Sequence, residues 1–573
     1  MSLLLLLAAS AGAITLPIPT SPPATLSAYL SPSFASFSIE FAFFPTFFGN
    51  ASAPNPLSLA LVQHITDRAG EPPSFRPGGI TVDSSVYDPS VSGIELDESP
   101  VRPSLPSLPK VQTVLNPRQT GGIYRTTYGP VFFQSLALLD NRTQFVFDLN
   151  FGNDSLDIAL SEAQAAFQAV PASQLWAFEL GNEPDQYSSE QRDTSTWDAA
   201  TYTTQWVNWT SSIQQSLGID APRFVALGAA EDPTSSALIT TVDVVADGIT
   251  AGNTVKAFSQ HMYQYSTCDP VRDALATLPN LINHANITAY VDEWKPQIAA
   301  ATSVGVPFIV GEFNSVSCSG KADVTDTFGQ ALWIADTMLY GASVNISKMF
   351  LHQGAVLVFQ SASQANTPGF SHYDTWLPVY TSTAAAGASP SYVAFLLLAE
   401  AIGASSKSRI APLTPPGDLE ASLGAYAIWD DALNTTAPSR LVLLNMDIFN
   451  LTSPSPRPAV TVDLTPLVGS KSVTLKRMTA PGLDEKDATA VTWAGQQFAN
   501  GTAVGQESVE TVAAGNVSVS ASEGVLVFLA GNASAAGGNG TSTSSGGSGG
   551  SGSSGGQTSG ARRQASIFGW WRS

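Results

Sequence analysis

Two stretches of this sequence decide the fold: Phe178-Glu-Leu-Gly-Asn-Glu-Pro-Asp185 and Pro307-Phe-Ile-Val-Gly-Glu-Phe-Asn314. Each is a short apolar run that leads to a glutamate, Glu183 in the first and Glu312 in the second, and then to a polar loop. The chain between them has room for three strand-plus-helix units, so the runs fit as the fourth and seventh strands of a (β/α)8 barrel. Because such barrels gather functional residues at the C-terminal strand ends, we expect both glutamates to face one pocket.

The flanking sequence repeats this alternation of strand and helix. Continuous apolar runs are typical of parallel strands buried on both faces, and helical patterns such as residues 202–213 and 328–339 lie between them. We therefore predict an α/β fold, with a (β/α)8 TIM barrel over residues 31–400. The predicted strands include residues 34–43, 145–149, 175–180, 224–227, 255–258, 308–310 and 349–351.

The pattern changes after the barrel. Short alternating segments separated by turn residues predict a β-sandwich domain over residues 401–531. Residues 532–573 are mostly glycine and serine and are predicted to form a disordered tail. Within the barrel, the proline-rich residues 90–110 are predicted to form a long loop after strand two, on the active-site side.

The N-terminus and the glycosylation sequons indicate secretion. An apolar run followed by Ala11-Gly12-Ala13 predicts a signal peptide over residues 1–13, with a buried N-terminal strand as the alternative. N-glycans attach at Asn-x-Ser/Thr, and their number suits a secreted eukaryotic glycoprotein. The twelve sequons lie at Asn50, Asn141, Asn153, Asn208, Asn286, Asn345, Asn434, Asn450, Asn500, Asn516, Asn532 and Asn539.

Composition excludes several classes of protein. The 573 residues carry a formal net charge of −21 with only 12% charged residues, which argues against nucleic-acid binding because phosphates attract basic patches. This negative charge suits a solvated extracellular enzyme, including one that works at acidic pH. After the N-terminus no apolar run approaches about 18 residues, so we predict no membrane span.

The two cysteines are predicted to form a disulfide. Cys268 and Cys318 give an even count, which suggests pairing in an oxidising compartment. If His261 ends strand six and Glu312 ends strand seven, both cysteines lie six or seven residues into neighbouring loops on one barrel face. The five histidines show no metal-ligand spacing, so no metal site and no cofactor are predicted.

The two glutamates suggest hydrolysis of a glycosidic bond. That reaction uses a pair of carboxyl groups, one as acid and one as nucleophile or base. In this interpretation Glu183 protonates the leaving oxygen, and Asn182 binds the hydroxyl beside the reacting carbon. Alone, Glu183 could equally be a helix cap or a surface-loop acid, but a second glutamate on a second such strand favours catalysis.

Four motifs in the sequence resemble those of a known group of glycosidases. They resemble the glycoside hydrolases of clan A, and more narrowly family 79 with its fungal β-glucuronidase-like and heparanase-related members. The likeness runs from about residue 30 to residue 530. The motifs are Ser36-Phe-Ser-Ile-Glu-Phe41, Arg76-Pro-Gly-Gly-Ile-Thr-Val-Asp83, Phe178-Glu-Leu-Gly-Asn-Glu-Pro-Asp185 and Gly311-Glu-Phe-Asn-Ser-Val-Ser-Cys318.

The resemblance implies a retaining mechanism with Glu312 as nucleophile and Glu183 as acid and base. It makes Arg76 the group that keeps Glu312 charged, although a buried arginine could pair with some other acid. It also implies that residues 14–30 join the β-sandwich.

The same resemblance implies five sugar-binding residues, Glu40, Asp83, Asn182, His261 and Tyr263. Each of four has a plain alternative: a surface-loop acid for Glu40, a turn cap for Asp83, a core histidine for His261 and a packed ring for Tyr263.

The specificity residues differ from the family pattern. Family members hold the sugar carboxylate with backbone amides and tyrosines from loops seven and eight, but here the loop after His352 has no tyrosine until Tyr373. We nominate Tyr263 and amides of the 352–373 loop as donors, and we note Phe313 as a bulky neighbour of the nucleophile. The predicted function is a secreted, retaining exo-β-glucuronidase, or 4-O-methyl-glucuronidase, acting on glycans. The alternatives are an endo-acting heparanase-like glycosidase and a catalytically silent carbohydrate-binding wall protein.

Overall fold

The computed structural model describes residues 13–91, 94–97, 125–234, 239–354, 370–380 and 384–529. The predicted signal peptide, except Ala13, and the predicted tail lie outside the described residues. Among the described residues, no helix has the length and apolar character needed to cross a membrane.

Eight parallel strands close into a barrel in which each strand pairs with the next and the last pairs with the first. This confirms the predicted (β/α)8 barrel. All residues of the first and eighth strands are buried, as expected for strands that are covered on both faces. The strands are β1 Ala35–Glu40, β2 Phe75–Gly78, β3 Phe145–Leu149, β4 Leu175–Leu180, β5 Phe224–Ala229, β6 Val255–Ser266, β7 Phe308–Ser317 and β8 Met349–Gln353.

Helices surround the barrel and begin at recognisable caps. The side chain of Asn55 accepts hydrogen bonds from the first backbone amides of α1, and Asp198 does the same for α4. The last helix, α8, is buried along its whole length because the second domain covers it. The main helices are α1 Pro56–Ala69, α2 Phe132–Ala137, α3 Leu156–Ala169, α4 Ala199–Leu217, α5 Thr241–Ala246, α6 Lys295–Ser303, α7 Phe328–Ser343 and α8 Val393–Ile402.

Two details of the barrel differ from the sequence prediction. Strands β6 and β7 do not end at His261 and Glu312 but continue to Ser266 and Ser317, because they stay paired beyond the glutamate. The cysteines therefore follow the strand ends within two residues instead of lying deep in loops.

The region after β2 is also more ordered than a plain loop. Ile94–Asp97 pairs with Arg125–Tyr128, which also pairs with Ser85–Tyr87, so part of the predicted 90–110 loop is strand. Residues 92–93 and 98–110 lie outside the described part of the chain.

The C-terminal domain is the predicted β-sandwich. The larger sheet has the order β9-β10-β11-β17-β13-β14, with β15 on β13, and β12 pairs with β16 in the smaller sheet. Alternate side chains of the two sheets meet in an apolar core that includes Trp429 and Val527. The strands are β9 Ser408–Pro412, β10 Leu423–Asp430, β11 Arg440–Asn445, β12 Ala459–Asp463, β13 Val473–Thr479, β14 Thr492–Trp493, β15 Glu510–Val512, β16 Asn516–Ser520 and β17 Glu523–Phe528.

The N-terminal segment lies on this sandwich. Ile14 pairs with Val462 of β12, Leu30 pairs with Ser408 of β9, and Leu16 is buried in the sandwich core. Buried polar contacts also join the two domains: Glu400 of α8 accepts a hydrogen bond of 2.6 Å from Lys476 of β13. The sandwich thereby supports the side of the barrel formed by α7 and α8.

Candidate active site

Glu183 follows β4 in a turn that fixes its backbone. Gly181 and Glu183 both have positive φ, +85° and +51°, and the amide of Glu183 donates a 3.0 Å hydrogen bond to the carbonyl of Gly228 at the end of β5. A non-glycine residue in the left-handed region is uncommon and is often found at functional sites. The turn holds the carboxyl group over the C-terminal end of the barrel, where its side chain is 23% exposed.

Glu312 lies within β7, paired in register with His261 of β6. Its two oxygens are held separately: the hydroxyl of Tyr263 donates to Oε1 at 2.7 Å, and Nη1 of Arg76 donates to Oε2 at 2.8 Å. The residue is 6% exposed. The carboxylate is therefore fixed in one orientation by charge-assisted hydrogen bonds.

The two glutamates meet in one pocket. One carboxylate oxygen of Glu183, one of Glu312 and a ring nitrogen of His261 all lie within 4.8 Å of one another. The structure thus brings together the two residues that the sequence singled out.

The pKa values of the two carboxyl groups are shifted in opposite directions. Burial, and then the negative charge of Glu312, raise the pKa of Glu183 to about 8. Burial also favours protonation of Glu312, but His352, His261 and Arg76 oppose it and, with the Tyr263 hydrogen bond, lower its pKa to about 2. Over the range between these values, one carboxyl group carries a proton and the other is ionised.

Arg76 is the central cation of the pocket. It is 1% exposed and contacts four acceptors besides a serine, so the prediction that it supports Glu312 describes only part of its role. Nη2 of Arg76 donates to Oδ1 of Asn182, which fixes the orientation of that amide and leaves its nitrogen as the donating end. The contacts are with Glu312, Glu179, Asp148 at 3.2 Å, Asn182 at 3.0 Å and the hydroxyl of Ser38 at 3.1 Å.

His261 contacts the acid, Glu183. Its ring is fully buried, and Nδ1 lies 2.9 Å from Oε1 of Glu183. Burial lowers the pKa of His261 to about 4, so the ring is neutral over most of the acidic range. Direct binding of a sugar by His261 stays a prediction.

Asp83 is held by donors within the protein, and its binding of a sugar stays a prediction. Its Oδ1 accepts three hydrogen bonds and its Oδ2 accepts one, and burial raises its pKa to about 7. It therefore joins the loop after β2 to the loops after β3 and β4. The donors are the amides of Phe151, Gly152 and Asn182 and the hydroxyl of Tyr187.

Glu40 lies at the end of β1, on the floor of the pocket. Its Oε1 accepts hydrogen bonds from the amide and hydroxyl of Thr81, and its Oε2 lies 3.7 Å from Nε2 of His352. Phe313 does not obstruct the site: its buried ring packs 6.0 Å from that of Trp333, on the helix side of β7. Neighbouring strand residues point to opposite faces, so the residue after Glu312 turns away from it.

Sequence reasoning missed four residues of the pocket: Ser38, Asp148, Glu179 and His352. Each is a polar residue in a buried barrel strand, which is the signal that could have identified them.

The disulfide prediction is confirmed. Cys268 and Cys318 are bonded, with their Cα atoms 6.0 Å apart, and they join the segments that follow β6 and β7.

The ligand atoms of Glu183, His261 and Glu312 lie close enough to one another to bind a single metal ion. The charges favour a proton instead, because the guanidinium of Arg76 already lies 2.8 Å from Glu312 and would repel a cation.

Comparison with known proteins agrees with this arrangement. Residues 425–526 match the glycosyl hydrolase family 79 C-terminal beta domain. A β-glucuronidase of Aspergillus niger is 28% identical over 493 residues, which are 81% of this chain and 82% of that protein. A β-glucuronidase of Neurospora crassa is 27% identical over 517 residues, 81% of this chain and 84% of that protein.

Solved structures show the same fold. A 4-O-α-L-rhamnosyl-β-D-glucuronidase from Fusarium oxysporum 12S is 25% identical with a TM-score of 0.72, over 90% of this chain and 100% of that chain. An arabinofuranosidase of family 51 from Xanthomonas axonopodis pv. citri, 14% identical with a TM-score of 0.54 over 88% of this chain and 98% of that chain, shares the fold alone.

Proposed function

We propose, from the premise that this chain is a glycoside hydrolase of the family 79 type, that it is a retaining, exo-acting β-glucuronidase. The observation that carries this proposal is the pairing of Glu183 and Glu312, with carboxylate oxygens within 4.8 Å and pKa values shifted apart. Retaining enzymes hold their carboxyl groups about 5–5.5 Å apart, and inverting enzymes about 6.5–9.5 Å apart. The spacing supports the retaining mechanism.

The first step forms a glycosyl-enzyme ester. An oxygen of Glu312 attacks the anomeric carbon, the bond from that carbon to the leaving oxygen breaks, and the proton of Glu183 moves to the leaving oxygen. In the second step Glu183, now ionised, takes a proton from water. The water oxygen attacks the anomeric carbon and releases Glu312, so the sugar keeps its configuration.

His261 orients the acid in this mechanism. Because the ring is neutral, we assign its proton to Nδ1, which donates to Oε1 of Glu183. Oε2 then carries the acidic proton toward the leaving oxygen. Asn182 offers its amide nitrogen to the hydroxyl beside the reacting carbon.

The sugar carboxylate must meet hydrogen-bond donors, because a buried unpaired carboxylate costs several kcal/mol. Tyr263 is a weak candidate for this role, since its hydroxyl already donates to Glu312. The remaining nominated donors belong to the 352–373 loop, of which residues 355–369 lie outside the described part of the chain. Preference for glucuronic acid rests on the fungal relatives, which are β-glucuronidases, and action on 4-O-methylglucuronic acid stays a prediction from the sequence.

Secretion with N-glycans is part of the proposal. The Cys268–Cys318 bond fits an oxidising compartment. Ten of the twelve sequon asparagines are described, and eight of these are exposed, as attachment of a glycan requires. Asn50 and Asn450 are half-buried, and the other two sequons lie outside the described residues.

The test is a substrate screen with stereochemical analysis. Purified protein would be assayed on 4-nitrophenyl β-glucuronide, β-glucoside, β-galactoside and β-xyloside, and on 4-O-methylated and 4-O-rhamnosylated glucuronides. Proton NMR should show the β-anomer of glucuronic acid as the first product. Glu312→Gln should abolish the reaction, while the same change at the exposed Glu420 of the sandwich should not.

Each contrary outcome has a meaning. A first product in the α-configuration would contradict retention. Preference for the glucoside would contradict the sugar assignment. Activity only on internal bonds of a polymer would favour the heparanase-like endo mode.

A further inference from the structure

The pocket holds more carboxyl groups than Arg76 can neutralise. Its single guanidinium forms ion pairs with Asp148, Glu179 and Glu312, and all of these groups are buried. Burying a charge is costly unless an opposite charge compensates it. A nucleophile that shares one cation with two other acids therefore needs a second positive neighbour.

His352 occupies the place where that second cation is needed. It lies on β8 and is 4% exposed, with Nδ1 3.5 Å from Oε2 of Glu312 and Nε2 3.7 Å from Oε2 of Glu40. Nδ1 also lies 3.1 Å from the hydroxyl of Ser38. The two ring nitrogens thus lie within ion-pair distance of two different acids, and the positive charge of an imidazolium ion suits this arrangement.

We propose that His352 is a positioning residue that, as an imidazolium ion, joins Arg76 in keeping Glu312 ionised and holds Glu40 toward the sugar. This inference rests on the proposed function, in which Glu312 is the nucleophile. It goes beyond that function because it assigns the pocket a second cation and a role in setting the acidic limit of activity.

The surroundings of His352 favour the charged ring. Burial lowers its pKa, but the charges of Glu312 and Glu40 raise it above the ordinary value, with Arg76 opposing. The ring of Tyr373 packs against it at 6.3 Å.

Other ionisable groups face the same space from the remaining strands: Glu183 after β4, and His261 and Tyr263 on β6. The two histidines thus differ. His261 contacts the protonated acid and is neutral above about pH 4, whereas His352 lies between two carboxylates.

The inference predicts how the enzyme responds to acid. An opposite charge within about 4–6 Å lowers a carboxyl pKa by about 1–3 units. Without His352 the pKa of Glu312 rises, and the nucleophile is neutralised at a pH where the wild-type enzyme still works.

The first experiment measures the reaction of the nucleophile, Glu312, without proton transfer from the acid, Glu183. A 2-deoxy-2-fluoro-β-glucuronosyl fluoride traps the glycosyl-enzyme, and its fluoride leaves without a proton from Glu183. Its rate of inactivation would be measured from pH 2 to pH 7 in wild type, in His352→Gln and in His64→Gln. His64 is the matched control because it is a half-buried histidine on α1, away from the pocket, whose ring contacts the carbonyl of Gly501 and packs on Phe498.

The acidic limb of this rate should move upward by about 1–3 pH units in His352→Gln and stay in place in His64→Gln. An unmoved limb in a folded His352→Gln would overturn the inference while leaving the proposed function intact. Mass spectrometry would identify the labelled residue. If wild-type label does not reach Glu312, the proposed function fails and this inference fails with it.

A second measurement does not depend on the variant folding. Nitrogen NMR of the wild-type protein, which has five histidines, should show two rings that remain imidazolium ions above about pH 6.5, His352 and the His284 ring that lies 2.8 Å from Asp336. The pKa of His352 should fall in Glu312→Gln, because one of the two acids beside it is then neutral, while the pKa of His284 should stay in place. A neutral His352 at pH 5 would overturn the inference.

Discussion

The hydroxyl of Tyr263 donates a 2.7 Å hydrogen bond to Oε1 of Glu312, so this tyrosine serves the nucleophile before any sugar is bound. A lost hydrogen bond to a charged group costs about 1.5–3 kcal/mol. Tyr263→Phe should therefore lower kcat/KM by about 10- to 100-fold. The loss should be similar for a glucuronide and for any neutral glycoside that the enzyme accepts.

Steady-state rates of Tyr263→Phe on both substrates check this, with Tyr265→Phe as control. Tyr265 lies two residues along the same strand, and its hydroxyl donates to the carbonyl of Asn280. A loss confined to the glucuronide would show instead that Tyr263 reads the sugar carboxylate.

The alkaline limb of activity should belong to Glu183. The acid must carry a proton, and its pKa is raised to about 8, so kcat/KM should decline as the pH rises through that value. Glu183→Gln should lower turnover by about 10²–10⁴ on substrates with poor leaving groups, and far less on those with good ones. A pH profile with a 4-nitrophenyl and an alkyl glycoside measures both effects. Near-normal turnover of the alkyl glycoside would remove Glu183 from the role of acid.

Stability should decrease between pH 5 and pH 8, partly through Glu162. This residue of α3 is fully buried, and burial raises its pKa to about 8. Its ordinary value is about 4.3, so between the two values the folded state binds a proton that the unfolded state has lost. The stabilisation is complete below the lower value and disappears as the pH rises through the upper one.

Glu162→Gln keeps an uncharged side chain at all pH values, so the free energy of unfolding should depend less on pH in the variant. Denaturant unfolding at pH 5 and pH 8 measures the difference. An unchanged pH dependence would show that Glu162 is ionised in the folded protein at both values.

The disulfide should stabilise the paired ends of β6 and β7. The cysteines are 50 residues apart, and closing a loop of that size contributes about 4 kcal/mol in the chain-entropy model. The double variant Cys268→Ser and Cys318→Ser should unfold at lower denaturant concentration. Thiol labelling of the denatured, unreduced wild-type protein should find no free cysteine, and two labelled thiols would refute the bond in the natural protein.

The sequence alone was sufficient for the architecture and for the two glutamates. Buried parallel strands read as continuous apolar runs, and a barrel presents the residues at the ends of those runs on one face. Glu183 and Glu312 could therefore be paired across the intervening chain. The change to short alternating segments likewise located the sandwich, because strands with one buried face alternate between apolar and polar residues.

Only the tertiary structure assigned the partners of those glutamates. The sequence shows that a polar residue lies at the end of a strand, but it does not show which neighbouring side chain that residue contacts. The contact depends on the register between strands and on how far each strand continues beyond the site. His261 pairs with Glu312 across β6 and β7 and contacts Glu183, and Asp83 accepts hydrogen bonds from backbone amides of two later loops. The position of His352 beside Glu40 depends on closure of the barrel, which pairs β8 with β1. These two residues come from opposite ends of the barrel sequence, so the sequence pattern could not predict their contact.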